Sequence, residues 1–114
     1  MAHQDDMNWL RKEGLIVRLQ GKEFVLYAGL IALAHRHGLR SIRTEMLVQS
    51  DDFALCHATV EGGDGMLFQA FGDASTKSVS KMILPHLRRM AETRAKARAL
   101  RDFTATPQIG RAHV

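Results

Sequence analysis

Residues 72–103, GDASTKSVSKMILPHLRRMAETRAKARALRDF, decide how the rest of this chain is arranged. The stretch reads as a helical element that carries positive charge to a sheet. It holds Lys77, Lys81, Arg88, Arg89, Arg94, Lys96, Arg98 and Arg101, half of the chain's 16 lysines and arginines. Ser75 and Thr76 follow Asp73 as candidate N-caps, because a short side-chain oxygen accepts the free N–H groups of a first helical turn. Pro85 has no N–H, and its ring clashes with the preceding turn. It divides the stretch into a short helix over about 76–83 and a long one from 85 to about 102.

In the long helix Leu87, Ala91, Ala95 and Ala99 recur every fourth residue and make a narrow apolar stripe. Alanine there lets the helix lie close against a sheet. Arg94, Arg98 and Arg101 recur at i, i+4 and i+7 on a different face. Charge runs usually do no more than keep a surface wet. This one lacks compensation: Glu92 has Arg88 and Lys96 within reach, but the arginine row has no acidic neighbour in helical register. An unpaired row of this kind asks for an external anion.

The sheet lies before it. Residues 41–49 alternate Ile42, Thr44, Met46 and Val48 against Arg43, Glu45, Leu47 and Gln49, a strand pattern, and Ser50-Asp51-Asp52 makes a turn. Residues 53–61 form a second strand, Gly62-Gly63-Asp64-Gly65 supplies the positive φ of a hairpin, and residues 66–71 form a third. The links are too short for crossovers, so the meander is antiparallel. Before it, residues 27–37 read as a helix with Leu30, Ile31, Leu33 and Ala34 buried and Gly38 as a left-handed stop. Residues 15–20 and 23–26 form a hairpin about a Gly21-Lys22 turn. The fold class is α+β: a β-hairpin, a helix, a three-stranded antiparallel meander, then a short and a long helix packed on the sheet. Residues 1–14 are a polar lead-in, loosely helical or disordered, 15–104 the core domain, and 105–114 a flexible tail, mobile or laid on a neighbour.

At 114 residues with 46% hydrophobic content the chain makes one domain with a modest core. A net charge of +4 suits a polyanionic partner. A single cysteine, Cys56, rules out an internal disulfide, and with neither a signal peptide nor an apolar run of membrane length the expected location is a reducing cytoplasm. No residue set supports catalysis. His35 and His37 lie two apart on a helix, whereas a helical zinc pair needs i, i+4 spacing. Cys56 and His57 are strand neighbours that face opposite ways, and nothing pairs the thiol with a base. The glycine-rich turn precedes a strand and so lacks the context of a phosphate loop. The reading is a binding protein, not an enzyme, with no cofactor and no metal. Most of Phe53, Phe68, Phe71 and Tyr27 read as core rather than as stacking platforms, and Trp9 is free to pack on a neighbouring subunit.

The helix–meander–helix order, together with LIALAHRHG at 30–38, AFG at 70–72 and ARALRDF at 97–103, resembles the Rad-fifty-two-type single-strand annealing proteins, in the superfamily that includes the Erf and Red-beta kinds. The stretch 72–102 is similar to a signature of short bacterial and phage members. The resemblance implies rings or arcs of subunits that hold single-stranded DNA in a basic groove with its bases outward, in recombination and repair. A single-strand-binding protein or a nuclease is the implied accessory partner. The two arginines that contact the DNA backbone in that family fall on Arg98 and Arg101. A lysine just before them falls on Ala97, with Lys96 one place earlier; a helix arginine falls on Gly29; a lysine after the third strand falls on Ser78, flanked by Lys77 and Lys81. The expected DNA-binding set is therefore Arg98, Arg101, Arg94, Lys96, Lys77 and Lys81. Ring formation by sheet extension would cover the exposed strand edge. Two other readings stay open: a double-stranded RNA-binding module, which shares the helix–meander–helix order, and a small oligomeric scaffold with no nucleic-acid role.

Overall fold

The computed structural model describes residues 2–77 and 86–105. Its elements are α1 (Ala2–Lys12), β1 (Ile16–Leu19), β2 (Lys22–Val25), α2 (Tyr27–Arg36), β3 (Leu39–Gln49), β4 (Phe53–Gly62), β5 (Leu67–Ser75) and α3 (Leu87–Thr104). The order is the α+β arrangement expected from sequence, with β1–β2 as one antiparallel pair and β3–β4–β5 as an antiparallel meander. The short helix expected over 76–83 lies outside the described residues except for Thr76 and Lys77, which form a turn. The tail beyond Ala105 also lies outside them.

The polar lead-in is part of the fold. Asp5 in the first turn of α1 and Arg11 and Lys12 in the last complement the helix dipole. Gly14, at φ +74°, lets Leu15 N–H return to the Leu10 carbonyl at 2.9 Å. Met7 and Leu10, three apart on an otherwise polar helix, are buried in the core. Arg11 bonds both carboxylate oxygens of Glu23 on β2 at 2.7 and 2.8 Å, and the Arg36 guanidinium of α2 lies 4.3 Å from the Trp9 ring centroid. Trp9 is thus half-buried within its own chain. The hairpin turn falls on Gln20 and Gly21, both at positive φ, one residue earlier than the sequence reading placed it.

β4 is the middle strand, and Ala54, Cys56, Ala58 and Val60 on one of its faces are buried against α3. The alanine stripe does what its spacing predicts: Leu87, Ala91, Ala95 and Ala99 are buried. The contact is closest at Gly72, where a Cβ would run into the backbone of Ala91 and Ala95. Gly72 therefore does not end the third strand. β5 continues through Asp73, Ala74 and Ser75, with Ser75 opposite Phe53, so Ser75 is a strand residue and not a helix cap. Glycine is needed there because two backbones meet, a long-range cause that the local sequence does not display.

Leu100 and Thr104, on the side of α3 turned away from the sheet, are also buried. That side faces α2, so α3 forms a middle layer between the sheet and α2. The other face of the sheet is open and leaves Leu47, Val48, Leu67 and Phe71 exposed.

Candidate nucleic-acid interface

α3 runs antiparallel to β5, which places its arginine row along the free edge of that strand. Arg94 Nη1 donates to the Asp73 carbonyl and Arg98 Nη1 to the Phe71 carbonyl, each at 2.8 Å. Even-numbered β5 residues bond to β4, as the Thr76 N–H to Asp52 carbonyl and Gly62 N–H to Met66 carbonyl bonds at its two ends show. The odd-numbered carbonyls point outward, and the two arginines occupy two consecutive ones. The row is therefore not without partners, as helical register suggested. The partners are neutral backbone groups, which leave the positive charge uncompensated and hold the Arg94 and Arg98 guanidinium groups in place with most of their five donors unused.

These arginines form one wall of an open cleft of about 350 Å³ between α2 and α3, lined by Tyr27, Leu30, Thr93, Arg94, Ala97, Arg98 and Arg101. No carboxylate is among the lining residues. Arg101 is half-buried, and burial, followed by the adjacent charge of Arg98, pulls its pKa down from the usual arginine value. A cation that has lost hydration and faces a like charge is the group an anion would stabilise most. Tyr27 is the first residue of α2, whose N-cap, Leu26, offers no side-chain oxygen to the first turn. The positive end of the α2 dipole therefore lies at the cleft as well. Burial, and then the Glu92 carboxylate, raise the Tyr27 phenol above its ordinary pKa, so it is neutral at physiological pH.

The structure brings together three of the six expected site residues: Arg94, Arg98 and Arg101. Lys96 lies two residues round the helix from them, on the flank toward β3, and does not line the cleft. Lys77 is exposed in the turn after β5, beyond the lining residues, and Lys81 lies outside the described residues. Glu92 does not pair with Arg88 or Lys96; it accepts a hydrogen bond from the Thr44 hydroxyl on β3 at 2.8 Å. Gly29, where the resembled family carries an arginine, is buried within about 3.1 Å of Leu15 and Val25 for any added Cβ. Tyr27 was missed as a site residue because an aromatic next to an apolar helical run reads as core. Among the described residues no cluster of three or more histidine, cysteine or acidic groups could hold a metal, and no helix is long and apolar enough to cross a membrane. No protein family matches the chain, and neither does any curated protein.

Proposed function

We propose that this chain is a nucleic-acid-binding protein, and within that class a single-stranded DNA-binding and strand-annealing protein of recombination and repair that works as an oligomer. The observation that carries the reading is the arginine wall: three guanidinium groups on one side of a cleft with no acidic lining residue, two of them fixed by strand carbonyls. Guanidinium grips phosphate oxygens with a forked donor pair, and a groove that follows the backbone binds without sequence preference. Neighbouring arginines one helical turn apart present a line of donors rather than a single point, which suits successive phosphates of one strand. The resemblance of residues 97–103 to the terminal helix of annealing proteins narrows the class to annealing.

The test is fluorescence anisotropy with labelled single-stranded DNA, double-stranded DNA and double-stranded RNA of equal length at two salt concentrations. The expected outcome is tightest binding to the single strand, weakened steeply by salt, and loss of binding in the Arg98→Ala, Arg101→Ala double variant. Unchanged affinity in that variant would overturn the proposal. A preference for double-stranded RNA would replace it with the RNA-binding reading, and no binding to any of the three would leave the scaffold.

A further inference from the structure

The cleft is two-sided, and phosphate recognition accounts for only one side. Across from Arg94, Arg98 and Arg101 stands Tyr27 of α2, next to the fully buried Leu30, with the short side chains of Thr93 and Ala97 between the two walls. Tyr27 is half-buried, and among the described residues its hydroxyl has no hydrogen-bond partner. A cleft that served only to hold phosphates would need no apolar wall. This one pairs a line of cations with an aromatic ring over a small floor, at the lower end of the roughly 300–1,000 Å³ of small-molecule pockets. The volume suits one nucleotide rather than a run of stacked bases.

We propose that the cleft is a nucleotide pocket in which one base of a bound single strand turns inward and packs against Tyr27 while its phosphate is held by the arginine wall. The proposal rests on the nucleic-acid reading and adds a base contact to it. Stacking on an aromatic side chain tolerates every base because every base has a π face, so the pocket would contribute affinity without sequence preference. It would also fix the register of the strand, since a base held inward anchors its neighbours relative to each subunit.

The probes are two single strands of equal length and charge, oligo-dT and an abasic strand with the same sugar–phosphate backbone, titrated by anisotropy at one salt concentration. The full chain is used as wild type, Tyr27→Phe and Tyr27→Leu. The wild type should bind oligo-dT at least about fivefold more tightly than the abasic strand, as expected of one stacked base. Tyr27→Phe should keep that ratio, and Tyr27→Leu should bring it close to one while abasic-strand binding stays unchanged. Equal wild-type affinity for the two strands overturns the pocket and leaves the arginine wall in place. A ratio that survives in Tyr27→Leu places the base contact elsewhere and likewise overturns it. Failure of the wild type to bind either strand would overturn the nucleic-acid reading itself.

Discussion

Gly72→Ala is the substitution that most directly tests how α3 is seated, and through it the placement of the arginine row. An added Cβ would lie 2.8 Å from the Ala95 Cα, and closer still to the Ala95 nitrogen and the Ala91 carbonyl oxygen. Ordinary contact begins at 3.4 Å, so even the most distant of the three atoms is about 0.6 Å too near. All three are backbone atoms of a helix and have no rotamer through which to retreat. Relief requires α3 to lift from β5, opening gaps beside Ala91, Ala95 and Ala99, which are fully buried. Overpacking usually costs about 1–3 kcal/mol, and this site belongs at or above the upper end because neither partner is a flexible side chain. For a domain of this size, 3 kcal/mol lowers Tm by roughly 12 °C or more. Urea and thermal unfolding followed by circular dichroism would measure it. Gly63→Ala serves as a control, since its Cβ would meet only the Gly38 carbonyl at 3.2 Å. Stability of Gly72→Ala within about 0.5 kcal/mol of wild type, the usual range for uninvolved surface sites, would refute the close contact of α3 with β5.

Two further outcomes follow from the ionisable groups. The hydrogen bonds from Arg11, offset in part by burial, hold Glu23 below the ordinary glutamate value of about 4.5. The unfolded chain thus takes up the proton first, and the stability this pair contributes is complete above pH 4.5 and lost as pH falls through the folded value; Glu23→Gln should flatten that acid limb in pH-dependent urea unfolding, and an unchanged limb would count against the pair. Burial, then the Glu92 carboxylate, push the Cys56 thiol above its ordinary range, so a thiol reagent at pH 8 should label the native chain far more slowly than the urea-unfolded chain; equal rates would mean that the inner face of β4 is uncovered.

The parts of this fold that were legible in the sequence share one property: their cause lies within a few residues. The alanine stripe of α3, the alternation of β3, and Gly38 at φ +86° behind α2 are all set by local geometry and could be read from spacing. The third strand expected over 66–71 stops short of Gly72, whose cause is a helix about 20 residues downstream. The same holds for Arg94 and Arg98, whose partners are carbonyls 21 and 27 residues away and cannot be found by scanning helical register for acids. Met7 and Leu10 were hidden because most of the residues around them in 3–12 are polar or charged. Tyr27 illustrates a different limit. Its burial was legible, but whether a half-buried ring completes a core or lines a cleft depends on which side chains stand opposite, and those come from α3.

The capping of β5 has a consequence for symmetry. A closed ring assembled by strand addition requires heterologous contacts, one edge of each subunit joining the opposite edge of the next. With the outward carbonyls of Phe71 and Asp73 already bonded to Arg98 and Arg94, the β5 edge cannot accept an incoming strand there without giving up both arginines. Of the two edges of this sheet, that leaves β3. A single self-complementary edge pairs about a two-fold axis and stops at a dimer. Growth of this three-stranded sheet beyond a dimer would therefore have to displace Arg94 and Arg98 from the β5 edge.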